Sequence, residues 1–136
     1  MSAVTRDEIV EKLTGTWRYV GASVNGQRRN LGADPKGMIY YGPHGEMMVQ
    51  IAPDVARKRA GNVVTAEEAK HALTGYIAYL GTYSVDAQAG TVTHHRQASL
   101  QPGDEGDLVR RYEFNGDRLS LWSVDNTLEV TWERIK

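Results

Sequence analysis

Gly90-Thr-Val-Thr-His-His-Arg-Gln-Ala-Ser-Leu100, then an acidic loop to Asp107, then Leu108-Val-Arg-Arg-Tyr-Glu-Phe114 is the stretch that decides how the chain is read. Side chains on a strand alternate between two faces. One face of the first run therefore holds Val92, His94, Arg96 and Ala98, and one face of the second holds Leu108, Arg110, Tyr112 and Phe114. Each set is apolar at its ends and polar in the middle. Turned inward, they would place an imidazole, two guanidinium groups and a phenol within an apolar wall, which is the composition of a small-molecule pocket.

Outward from that pair the same period of two recurs. Toward the C-terminus, Asn115-Gly116 signals a tight hairpin whose two central residues need positive φ. Leu119, Leu121 and Ser123 follow, Asp125-Asn126 turns the chain, and Leu128, Val130, Trp132 and Arg134 alternate with Glu129, Thr131 and Glu133. Toward the N-terminus, Tyr79, Gly81, Tyr83 and Val85 alternate inward. Gly37–Tyr41 and Glu46–Ile51 read as a hairpin closed at Gly42-Pro-His-Gly45, with Ile39, Tyr41, Met47, Val49 and Ile51 on its inner face. From Thr16, one face holds Trp17, Tyr19 and Gly21 and the other Arg18, Val20 and Ala22, up to a turn at Asn25-Gly26.

Two segments have helical spacing. Thr5 or Asp7 can cap a short N-terminal helix that buries Ile9, Val10 and Leu13. Thr65-Ala-Glu-Glu68 is a capping box, and Ala69, Ala72, Leu73, Tyr76 and Ile77 give the following helix an apolar face. Residues 53–64 lose periodicity, and their Arg57-Lys-Arg59 reads as solvated surface. The expected fold is all-β: a single domain over residues 1–136, an antiparallel up-and-down barrel of about eight strands with one helical insertion between its third and fourth strands.

Composition narrows the function classes. A net charge of −1 on 136 residues offers no attraction to phosphate backbones or anionic lipid, so neither nucleic acid nor a membrane is an expected partner. Cys is absent, and no His and carboxylate spacing reads as a metal site. No phosphate-cradling glycine loop precedes a helix, so no cofactor is expected. The first residues lack the basic and apolar regions of a signal peptide, and the expected location is cytoplasmic unless a leader has been removed. Trp122 falls on the outward face, toward the second helix or a second copy, which leaves a homodimer open.

The residues also resemble a known family, the lipocalin-like domains of bacteria and fungi within the lipocalin and fatty-acid-binding barrels. Leu13-Thr-Gly15-Thr-Trp17 is similar to the Gly-x-Trp entry motif, and Arg134 sits where lipocalins stack an arginine across that tryptophan. Gly37–Tyr41 with Gly45-Glu-Met47, Tyr79-Leu-Gly81-Thr-Tyr83, and His94 followed by Arg110 and Leu119-Ser-Leu121 are further similar stretches. The resemblance implies the barrel more than it implies an activity.

The candidate ligand contacts are Tyr41, Met47, Tyr83, His94, Arg96, Arg110 and Tyr112. The leading expectation is binding of a small, largely apolar molecule that carries an acidic or carbonyl group. The alternative is a cofactor-free isomerase, cyclase or lyase in which His94 moves a proton and Arg110 with Tyr83 stabilises an oxyanion. Arg96 and Arg110 are expected nearly opposite each other, neutralised by Glu46, Asp86, Glu113 or a ligand, and to hold His94 neutral.

Overall fold

In a computed structural model, residues 4–136 are described. Nine strands and two helices follow in the order α1 (Arg6–Leu13), β1 (Gly15–Val24), β2 (Gln27–Arg28), β3 (Lys36–Tyr41), β4 (Glu46–Ala52), α2 (Ala66–Leu73), β5 (Ile77–Asp86), β6 (Thr91–Ser99), β7 (Gly106–Asn115), β8 (Arg118–Trp122) and β9 (Leu128–Arg134). Each long strand pairs antiparallel with its neighbour, and β1 pairs with both β3 and β9, so eight strands close into a barrel. The two-residue β2 is an extra ribbon folded back on β1. Closure removes the free edges that an open sheet of this size would carry. Counting barrel strands alone, α2 lies between the third and fourth.

The floor is built from the N-terminus. Thr5 caps α1 by accepting from the Glu8 amide, and Ile9 and Leu13 are buried. Trp17 is buried with its indole N–H donating to the Leu13 carbonyl at 2.9 Å. The Arg134 guanidinium lies 4.1 Å from the centroid of the Trp17 ring and donates to the carbonyls of Thr14 and Lys12. One cation thus ties the last strand to the C-terminal end of α1 and to the first strand. The other end is the mouth, lined by Arg29 and Leu31 after β2, by Ile77 after α2 and by Gln101 and Asp104 of the 100–105 loop.

Several local expectations need correction. Tyr19 pairs with Trp132 and Gly21 with Thr131, so Val20 is an extra residue; Ala22 turns inward opposite Val130 and Gly21 turns outward. Leu80 pairs with Ala98 and Gly81 with Arg96, so Gln97 is a second extra residue, and Ala98 faces out. A single inserted residue reverses parity beyond it, because the side-chain period is two. Gly81 is required there, since a Cβ would sit 2.0 Å from the His95 carbonyl oxygen. The hairpin at Asn115 is real, but Asn115 pairs with Arg118 and only Gly116 has positive φ. Its central residues are Gly116 and Asp117, the pattern with glycine first. The two positive-φ centres belong to Asn25-Gly26 instead.

The capping box forms as the sequence predicts, with Thr65 and Glu68 satisfying each other's amides. The helix stops at Leu73, however, because Gly75 at φ +75° reverses the chain, so Tyr76 and Ile77 leave the helical face. No α2 residue is buried. It is held at the mouth by Gln101, which donates to the Leu73 carbonyl, and by Tyr76, bonded to Gln50 and covered by the Arg57 guanidinium. No helix among the described residues is long and apolar enough to cross a membrane.

Candidate functional site

A cavity of about 200 Å³ lies inside the barrel, opening toward the mouth. Apolar side chains from seven strands form most of its wall, including Ile39, Val49, Ile51, Leu121 and Val130. The polar exceptions are concentrated on one side: Tyr79 from β5, His94 and Arg96 from β6, and Arg110 from β7, with Arg29, Gln101 and Asp104 nearer the rim.

His94 is 1% exposed and is gripped from both sides. Its Nε2 lies 2.6 Å from the Tyr41 hydroxyl and its Nδ1 lies 2.7 Å from the Tyr79 hydroxyl. Burial, and after it the positive charge of Arg110 and Arg96, pushes its pKa down to about 3. The expectation of a neutral imidazole is thus met in direction, with burial as the larger cause and the guanidinium groups second. A neutral imidazole has one donor and one acceptor nitrogen. Tyr41 is fully buried, with no other hydrogen-bond partner for its hydroxyl among the described residues. The arrangement that leaves no buried proton orphaned has Tyr41 donating to Nε2, Nδ1–H donating to Tyr79, and the Tyr79 proton free to point into the cavity. Burial raises the Tyr79 pKa to about 12 and raises that of Tyr41 well above the usual phenol range, so both stay protonated at neutral pH.

The two arginines are not opposite each other. Arg110 pairs across the ladder with Val92 and Arg96 with Gly106, one on each side of the His94–Leu108 pair. Arg96 donates from Nε to the Gly106 carbonyl at 3.1 Å, and its guanidinium stands 5.6 Å from the Tyr79 ring centroid. Arg110 donates only to the carbonyl of its neighbour Val109, at 3.2 Å. Among the described residues neither forms an ion pair with a carboxylate. Glu46 accepts from the His44 amide and Asp86 from the Ala89 amide, while Glu113 is exposed; none of the three expected counterions is in place. Burial, and beyond it the charge of Arg96, lowers the pKa of Arg110.

Of the expected contacts, His94, Arg96 and Arg110 line the cavity, whereas Tyr41, Met47, Tyr83 and Tyr112 lie outside its wall. Tyr41 and Met47 are packed beneath it. The Tyr83 hydroxyl donates to the Gly42 carbonyl at 2.8 Å, tying β5 to the β3–β4 turn, and Tyr112 packs on Phe114. Tyr79 takes the place expected of Tyr83. It was legible as inward-facing, but only its bond to a residue fifteen positions away marks it out. Trp132 also lines the cavity, and its buried indole N–H has no partner among the described residues. No group of three or more His, Asp or Glu side chains is placed to hold a metal ion among the described residues.

The profile of the lipocalin-like domain matches residues 14–135. The chain belongs to the lipocalin-like family. Among solved structures, this lipocalin-like chain is similar to the wild-type fluorescent protein UnaG, at 16% identity over 93% of this chain and 99% of that one, with a TM-score of 0.41. A UnaG mutant is similar at 15% identity over 92% and 97%, with a TM-score of 0.39. Among curated proteins none matches it. Small-molecule binding in general is what this lipocalin-like barrel supports.

Proposed function

We propose that the barrel binds a small, largely apolar molecule carrying a carboxylate or a comparable acidic or carbonyl group. The observation that carries this is the pair Arg96 and Arg110, both facing the cavity and, among the described residues, in no ion pair, although the Asp104 carboxylate lies at the rim. Partly buried like charges without a counterion are unfavourable, and an anionic ligand would relieve them. The Tyr79 hydroxyl is a further donor left without an acceptor in that bonding arrangement, so the polar side of the lumen offers protons and asks for lone pairs. Apolar walls supply affinity for the remainder of the molecule. Ligand pockets for drug-sized molecules run from about 300 Å³ upward. At about 200 Å³ this one suits a smaller guest.

The enzymatic alternative has less support. Both ring nitrogens of His94 are engaged by phenols, and a pKa of about 3 makes it a weak base at neutral pH. Calorimetric titration with octanoate and with octanol tests the binding reading. Octanoate is expected to bind roughly tenfold or more tightly, the value of one charge-assisted hydrogen bond. Equal affinities would remove the acidic group from the description.

A further inference from the structure

A second polar cluster lies on the opposite face of the same strands. Ser84 Oγ is 2.8 Å from His95 Nε2, and His95 Nδ1 is 2.7 Å from an Asp107 carboxylate oxygen. Three adjacent strands supply the three side chains. His95 stands directly opposite Asp107 across the β6–β7 ladder and diagonal to Ser84 across β5–β6, where its own partner is Thr82. The proton positions follow from chemistry. A carboxylate only accepts, so Nδ1 carries the hydrogen, and Nε2 of the neutral ring is left to accept from the serine hydroxyl. This is the arrangement that makes serine a nucleophile: the base accepts the proton of the attacking hydroxyl, and the acid holds the base in the right tautomer. That geometry recurs on unrelated folds and is recognised by distances and roles.

The cluster is open to solvent: Ser84 is exposed, and the His95 and Asp107 side chains are 37% and 65% exposed. It also shares its face with an apolar surface. Met48, Leu80 and Ala98 form the row of outward side chains next to the Glu46–Thr82–His95 row, and with Met38 and Leu100 they line a shallow groove of about 860 Å³. Leu80 is four residues from Ser84, roughly 13 Å along the strand. An acyl chain attached at Ser84 can therefore lie back over Thr82 onto Leu80 and Met48.

The geometry points to a reactive serine on the outer wall of the barrel, with Ser84 as nucleophile, His95 as general base and Asp107 as its positioning residue, taking the acyl group of an activated ester of an apolar acid. Ser84 Oγ bonds to the ester carbonyl carbon while its proton passes to His95 Nε2. The carbon–oxygen bond to the leaving group then breaks, and His95 returns the proton to the departing oxygen or to solvent. The ladder takes up the strand amides around Ser84, so no pair of N–H groups is aimed at an oxyanion. The product expected is therefore an acyl-serine formed once per chain, with slow release by water.

The test uses the full chain with p-nitrophenyl octanoate and p-nitrophenyl acetate, read by p-nitrophenolate release, intact mass and peptide mapping. One octanoyl group per chain, mapped to Ser84, is expected. It should be absent from Ser84→Ala and formed roughly tenfold or more slowly in Asp107→Asn. Octanoyl transfer should outpace acetyl transfer by roughly tenfold, through contact with the groove. Adducts spread over lysines, an unlabelled Ser84, or labelling unchanged in Asp107→Asn would overturn the proposal. Equal rates for the two esters would overturn the apolar acyl class. Mapping on the wild-type chain decides the site even where a variant fails to fold, and octanoate titration of Ser84→Ala, expected unchanged, keeps this result separate from the fate of the lumen site.

Discussion

His94 and His95 are neighbours in sequence and belong to different environments. The first is 1% exposed, fixed between two tyrosine hydroxyls and faced by Arg96 and Arg110. The second is half-exposed and bonded to a serine and an aspartate. Burial and cationic neighbours hold the inner ring neutral, whereas a carboxylate orients the outer one so that its free nitrogen can take a proton. The alternation of a strand assigns these two fates, and the same residue type becomes a structural anchor on one side and a base on the other.

The largest expected effect separates the two rings by pH. The folded-state pKa of His94 is depressed from 6.5 to about 3, so the unfolded chain binds a proton that the folded chain refuses throughout that window. Its contribution to stability is complete above about pH 6.5 and is lost as pH falls toward about 3, on the order of 4 kcal/mol. Urea denaturation at pH 7 and pH 4.5 should show the part of this loss that falls above pH 4.5, about 2–3 kcal/mol, in the wild type and a smaller one in His94→Gln; equal losses would mean that the inner ring titrates normally. Next, His94→Ala at neutral pH orphans the buried Tyr41 hydroxyl and opens a void. It should cost about 2–4 kcal/mol in the same assay, with an unchanged urea dependence.

Arg110→Gln is expected to weaken octanoate binding roughly tenfold to a hundredfold and to leave octanol binding alone. Its effect on the stability of the ligand-free chain should be neutral or favourable, because a like charge is removed from beside Arg96. A clear loss of stability would show that the guanidinium is part of the packing instead. The smallest effect belongs to the outer ring: His95→Ala should shift stability by about 1 kcal/mol or less, as expected for an exposed hydrogen-bonded pair. A loss comparable to that of His94→Ala would erase the contrast between the two faces.

Much of the barrel was readable in advance. Period-two runs, turn residues at Asn25-Gly26 and Gly42–Gly45, the capping box at Thr65 and the pairing of Trp17 with Arg134 are local signals with local causes. The inward turn of His94, Arg96 and Arg110 was readable for the same reason. The fates of Gly21, Ala22 and Ala98 were not, because the inserted residues Val20 and Gln97 show only when two strands are laid in register. Nor was the choice among tyrosines: Tyr41, Tyr79 and Tyr83 all face inward, and only three-dimensional placement gives two of them to His94 and the third to the Gly42 carbonyl.

What the sequence by itself determined was the sidedness of each strand up to its bulge and the antiparallel succession of strands, since alternation and tight turns are properties of neighbouring residues. What only the tertiary structure decided was which polar groups meet: the phenols on His94, the missing counterions of Arg96 and Arg110, and the diagonal contact of Ser84 with His95. Those meetings depend on interstrand register and strand tilt, and register is fixed by the whole barrel closing at once, with two bulges absorbed on the way.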